Sequence, residues 1–210
     1  MRLWQAIGMM IGFAAIVIAI VFLWWDLDVR WRPHALAKDQ IQILRLLQTA
    51  GWVSPGGGPS KLYVVAVRDC AACERLESSE FPALQKAGVD TRVIMVAPAD
   101  VNGKAVASPV ERSTVAELWV NRSWPLFEAW MAANPSGWAA PGVPSADGDA
   151  ARSAVVEASR DLVDRLKPLL RENGVAFAWP LVIWQTKDGT LEAAAGDAPK
   201  TWTYLRRDLG

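Results

Sequence analysis

The chain's only two cysteines sit three positions apart, as Cys70-Ala71-Ala72-Cys73, where a strand-like run gives way to a helix-like one. Residues 61–67, from Lys61 through Tyr63, Val64 and Val65 to Val67, are short, apolar and β-branched, which suits a buried strand. Residues 74–86 set Leu76, Phe81 and Leu84 among charged side chains and predict an amphipathic helix despite Pro82. Cys70 then falls in the first turn of that helix, where unpaired N–H groups and the helix dipole favour negative charge. A thiolate forms more easily there, and the thiolate is the reactive species. Cys73, one turn on, is close enough to close a tight disulfide with Cys70 or to resolve a mixed one. The pair predicts a dithiol redox centre.

Other readings of the pair have weaker support. A structural zinc site needs four ligands, and beyond the cysteines the chain offers only His34, so no metal or other cofactor is expected. A purely structural bridge over so short a loop removes little entropy from the unfolded chain. Two inert, core-packed cysteines are the remaining alternative.

Residues 3–25 carry no charge, and Gln5 is their only strongly polar side chain. At 1.5 Å per residue such a helix spans the roughly 30 Å hydrocarbon core of a bilayer. Trp4 marks one end and Trp24 and Trp25 the other, as rings resting at both boundaries would. Bulky residues 22–25 stand where a cleavage site needs small ones, so an uncleaved signal anchor is expected over residues 1–25. Arg30 and Arg32 after the span outnumber Arg2 before it, and the positive-inside count alone leans towards the opposite orientation. The C-terminal domain is nevertheless expected outside the cytoplasm, in the periplasm of a bacterium, because short N-terminal anchors export the chain beyond them and disulfides persist there. Gly8 with Gly12, and Ala15 with Ala19, give small-xxx-small spacings that permit two anchors to pair as a homodimer.

Basic and acidic residues balance at 22 each, which leaves no footprint for nucleic acid. Residues 26–60 predict a linker with an amphipathic helix over 35–50, its stripe formed by Leu36, Ile43, Leu44 and Leu47. Residues 51–60, which contain Pro55-Gly56-Gly57-Gly58-Pro59, then make a breaker-rich stretch. A second strand is expected over 91–96. Thr114 and Glu117 have capping-box spacing for a short helix, and Ser123-Trp124-Pro125 starts another that Asn134-Pro135 ends. The strongest helix runs over 150–172, with Val155, Val156, Ser159, Leu162, Val163, Leu166, Leu169 and Leu170 on one face and Gly174 closing it. The tail changes period: strands over 181–184 and 190–195 flank a turn at 187–189, and a last helix turns Trp202 and Leu205 inward.

Strand, Cys-x-x-Cys, helix and strand, then late in the chain Gly174-Val175, Pro180, Asp188-Gly189 and Gly196 in this order, resemble the thioredoxin superfamily. The resemblance covers residues 61–210. The helical stretch over about 113–173 looks like the insertion of the Dsb-type periplasmic branch. The fold class implied is α/β, thioredoxin-like with a helical insertion, preceded by one transmembrane helix. The resemblance also implies that the Trp179-Pro180 bond is cis, lies against the redox turn and helps hold an extended client segment.

Three positions depart from the family pattern. Trp179 replaces the small or β-branched residue common before this proline, Ala71-Ala72 supplies neither charge nor ring between the sulfurs, and Val64 stands where thioredoxins bury an acid. Asp69 opposes thiolate formation at Cys70 if its carboxylate turns inward. The function expected is a membrane-tethered thiol–disulfide oxidoreductase acting on extracytoplasmic client proteins with cysteines, with a further redox partner protein. Cys70 is the expected nucleophile and Cys73 the resolving thiol, with Trp179 and Pro180 binding the client. Oxidase, isomerase and reductase share these parts, and a non-catalytic thioredoxin-fold adaptor in a membrane assembly is the alternative.

Overall fold

The computed structural model describes residues 2–210, with backbone alone for residues 2–9, 11, 27 and 28. The chain divides into two compact units, Met1–Arg32 and Pro33–Gly210. In the first, helix α1 (Arg2–Trp24) runs into one π-helical stretch, Trp25–Val29, and then Arg30, which pairs with Asp26 at 3.1 Å. The described side chains of α1 are apolar and uncovered, Phe13, Ile18 and Phe22 most of all.

Among the described residues no helix is long and apolar enough to cross a membrane. The expected span over 3–25 and the Gly8–Gly12 spacing include side chains outside the described residues.

The second unit contains, in order, β1 (His34–Ala35), α2 (Gln40–Thr49), β2 (Lys61–Ala66), α3 (Ala71–Lys86) and β3 (Asp90–Met95). Next come α4 (Pro109–Asn121), α5 (Trp124–Ala132), α6 (Ala150–Glu172), β4 (Leu181–Gln185), β5 (Leu191–Ala195) and α7 (Pro199–Leu209). The strands form one sheet in the order β1-β5-β4-β2-β3. β2 and β3 are parallel, and β4 is antiparallel to both β2 and β5.

Strand alternation builds two cores from the same strands. Leu62, Val64 and Ala66 of β2 face one side with Val93, Met95, Val182 and Trp184, covered by Leu76, Phe81 and Leu84 of α3 and Trp202 and Leu205 of α7. Tyr63 and Val65 face the other with Ile94, Leu181 and Ile183, covered by Ile43 and Leu47 of α2 and by Leu162, Leu166 and Leu170 of α6. The central strands are buried on both faces, which explains their nearly unbroken apolar sequence.

Two local expectations are corrected. The amphipathic helix expected from residue 35 begins at Gln40, because His34 and Ala35 are drawn into the sheet opposite Ala193 and Glu192. The capping box that opens α4 is Ser108 with Glu111, not Thr114 with Glu117. Both pairs have the required spacing, but Pro109 after Ser108 fits a first helical position, where no N–H is needed. Thr114 instead donates its hydroxyl to the Val110 carbonyl, and Glu117 pairs with Arg152 of α6.

The breaker-rich stretch before β2 is packed onto the sheet. Val53 exchanges two 2.8 Å backbone hydrogen bonds with Val93, and Ser54 donates to Asp90. Gly51 is where α4 meets this stretch: a Cβ there would lie 2.4 Å from the Trp119 Cα and 2.3 Å from its Cγ. The Trp119 ring cannot yield freely, since its Nε1 donates to the Met95 carbonyl at 2.7 Å. Gly51→Ala should therefore destabilise the fold by about 1–3 kcal/mol, read as a lower urea midpoint. An unchanged midpoint would contradict this contact.

Candidate redox site

Cys70 is the N-cap of α3, with extended backbone angles of φ −128° and ψ 98°. Its Sγ accepts from the Cys73 N–H at 3.2 Å, and its carbonyl accepts from the Glu74 N–H at 3.1 Å. The two sulfurs are joined in a disulfide, with Cα atoms 5.2 Å apart. Cys73 faces the core at 5% exposure, whereas Cys70 is half-buried and packs against both cores. Cys70 is thus the more exposed residue of the pair and Cys73 the more buried. Asp69 is exposed, so it is not a buried acid against the sulfur.

The register that sets Val65 opposite Leu181 brings the residue before β4, Pro180, to the same end of the sheet as the redox turn. The Trp179–Pro180 bond is cis. Pro180 is buried, and its carbonyl accepts from the Gly196 N–H at 2.9 Å. Trp179 is half-buried and packs edge-on against Phe177 with ring centroids 4.7 Å apart. Among the described hydrogen bonds none engages the backbone N–H or carbonyl of Trp179. Val64, in place of an acid, is packed in the core.

Arg68, two residues before Cys70, was not legible as a site residue. It is 3% exposed, and its guanidinium donates to the carbonyls of Trp130 at 3.1 Å, Met131 at 3.4 Å and Ala133 at 2.7 Å. These carbonyls end α5, where a helix lacks intrahelical partners and presents partial negative charge. The same group meets Glu74 at 3.4 Å. Arg68 thereby fastens the end of α5 to the turn that carries the cysteines. Nothing in the local pattern marks it, because its partners are backbone atoms some 60 residues away.

Carboxylates crowd around this cation. Burial pushes the Glu77 carboxyl from an ordinary 4.5 up to about 7, with Glu74 and Glu128 adding to the rise against the pull of Arg68. Glu111 of α4 is also raised, first by burial and further by Asp69, against a hydrogen bond from the Ser108 backbone and the charges of Arg68 and Arg112. A cleft of about 300 Å³ opens beside the turn, lined among others by Arg68, Asp69, Glu111, Trp130 and Trp138.

No protein-family model and no curated protein sequence matches the chain. Solved structures do. BcfH from Salmonella enterica Typhimurium superposes with a TM-score of 0.51 at 13% identity, covering 100% of this chain and 95% of that one. A periplasmic thioredoxin-like protein from Salmonella enterica serovar Typhimurium gives a TM-score of 0.49 at 17% identity, covering 82% of this chain and 96% of that one. The first likeness is one of fold, and it agrees with the sheet: a parallel βαβ unit, then an antiparallel hairpin, in the order β5-β4-β2-β3. The chain has a thioredoxin-like fold. The Cys pair lies at the βα turn of that fold, at the C-terminal end of β2.

Glu77 yields a pH-dependent prediction. A carboxyl whose folded pKa is raised binds a proton that folding favours, so its contribution is intact below about 4.5 and is lost as pH rises to about 7. The stability gain of Glu77→Gln over the native chain should therefore be larger at pH 8 than at pH 4. Urea midpoints of both proteins at the two pH values test this, and a gain independent of pH would refute it.

Proposed function

We propose that this protein is a thiol–disulfide oxidoreductase acting on extracytoplasmic proteins, tethered to the inner membrane by α1. The observation that carries the reading is the Cys70–Cys73 disulfide at the N-terminus of α3, with Cys70 the more exposed of the two residues. Exchange begins with a thiolate at an accessible position, and a helix start supplies N–H groups for it. Cys70 attacks a client disulfide, or receives attack from a client thiolate, and a mixed disulfide forms at its Sγ. Where Cys70 has attacked, Cys73, held one turn away, displaces the client thiolate and restores the internal bridge; where a client thiolate has opened the bridge, Cys73 is the group that leaves and the client's second thiolate releases Cys70. The Trp179 backbone, at the same end of the sheet as the turn, offers an N–H and a carbonyl to an extended client segment.

The tether is supported by the uncovered apolar side chains of α1 and by the uncharged stretch over residues 3–25. An export-competent tether would place the dithiol where disulfides persist, in the periplasm of a bacterium. Client proteins with cysteines and a second redox protein are the partners this chemistry needs.

Two substitutions test the redox role. Cys73→Ser should trap clients as mixed disulfides visible on non-reducing gels, whereas Cys70→Ser should trap none and lose insulin-disulfide exchange completely. Unchanged cellular function in Cys70→Ser would instead identify an adaptor. The tether has its own test: the full chain should stay with membranes after a carbonate wash, and a chain beginning at Pro33 should be released. A full chain found in the soluble fraction would remove the tether from the proposal.

A further inference from the structure

Because β2 and β3 are parallel and in register, the loop after β3 emerges at the same end of the sheet as the redox turn. It brings Val106, 52% exposed, into the wall of the cleft of about 300 Å³ that takes in Asp69, the residue before Cys70. Neither Trp179 nor Pro180 lines this cleft, so it is a surface separate from the one already assigned to the client backbone.

Two carboxylates line the cleft from different elements, Asp69 from the turn and Glu111 from the first turn of α4. Among the described residues the Asp69 carboxylate has no hydrogen-bond or ion-pair partner, and Glu111 accepts only the Ser108 N–H, at 3.4 Å. The cation in the wall, Arg68, is engaged by three carbonyls and Glu74, yet its buried Nε has no acceptor. Trp138 adds a half-buried ring, held in place by its Nε1 donating to the Thr114 hydroxyl at 2.9 Å. Trp130 is 2% exposed and already has the Arg68 guanidinium 5.9 Å from its ring centroid. Carboxylates without a cation, beside a fixed indole and an apolar side chain, match a lysine or arginine. Its stem lies on the apolar surface while its head meets the charges and the ring. The unanswered Arg68 donor asks in addition for an acceptor, which a peptide carbonyl supplies and a bare metal ion does not.

We propose that this cleft is a specificity subsite, taking a lysine or arginine side chain of the client segment whose cysteine engages Cys70. The proposal rests on the oxidoreductase reading above and adds to it a class of client, proteins whose reactive cysteine has a basic neighbour. An extended chain covers about 3.3–3.6 Å per residue, and the cleft starts one residue from Cys70, so the basic residue lies within about three positions of the client cysteine. Asp69 and Glu111 hold the charged head, Val106 and Trp138 cover the stem, and a backbone carbonyl of the same segment accepts from Arg68 Nε.

Single-cysteine peptides, alike except for Lys, Glu or Leu placed two residues before or after the cysteine, test the subsite on the full chain in detergent. Each peptide thiolate bonds to Cys70 Sγ as the internal S–S bond breaks, and Cys73 leaves as a thiolate that takes a proton from water. The rate of this opening is followed as mixed disulfide by mass spectrometry. Dividing it by the same peptide's rate with the uncharged disulfide of mercaptoethanol removes differences in thiol acidity. The Lys peptide should lead the Glu peptide about tenfold, the sum of modest charge and ring contacts. High salt should shrink that lead in the native chain, a readout that requires no variant to fold. Asp69→Asn with Glu111→Gln, the latter keeping a residue that can close the capping box, should bring the lead near unity. Equal rates for Lys and Glu, a lead of Leu over Lys, or a Lys lead that survives both salt and the amide pair overturns the proposal. Absence of exchange with every peptide would sink the oxidoreductase reading itself.

Discussion

Burial of β2 on both faces is the constraint on which the rest of the domain depends. A strand whose alternate residues enter two different cores cannot slip by one position without exchanging Leu62, Val64 and Ala66 for Tyr63 and Val65. That fixes its register against β3 on one side and β4 on the other. The register in turn determines where the chain leaves the sheet, and the segment that leaves it there is the turn carrying Arg68 and Cys70. Because β4 is antiparallel to β2, its first residues come to the same edge, so Trp179 and Pro180 are set by the same packing that sets the sulfurs.

The second dependency is electrostatic. Arg68 places a guanidinium at 3% exposure, which would be costly without partners. The end of α5 provides them as carbonyls, so α5 is bound to the turn that carries the cysteines by charge-assisted hydrogen bonds. The same cation explains how Glu74, Glu77 and Glu111 can gather nearby. Arg68 lowers the cost of placing Glu77 and Glu111 there, yet it does not cancel burial, and both keep raised pKa values.

Much of this architecture was legible in the sequence because it is local or periodic. The helix over 150–172 was marked by its stripe from Val155 to Leu170, of which every residue but Val155 is buried. The hairpin of β4 and β5 was marked by the change of period around Asp188-Gly189, and the turn at Cys70 by the strand before it and the helix after it. The features that escaped depended on contacts distant in sequence. Residues 34–35 become a strand because Ala193 and Glu192 offer an open edge, which no pattern around His34 reveals. The start of α4 was misplaced because two Ser/Thr-x-x-Glu spacings compete and only Pro109 separates them. The packed role of Gly51 is invisible without the backbone of Trp119. In the site, the sulfurs were legible in the sequence, while Arg68 was not, because its carbonyl partners belong to α5, which the chain reaches much later.

This division bears on how such a centre can be tuned. The residues between cysteines are the local means of adjusting a thiol, and here they are two alanines. The turn is held by the buried Arg68 guanidinium, whose removal would leave the carbonyls of Trp130, Met131 and Ala133 without this donor, a loss of about 1–3 kcal/mol for an unsatisfied buried group. A substitution at Arg68 that preserved the fold would still leave Glu74 without its ion-pair partner and Glu77 without the charge that opposes the rise of its pKa.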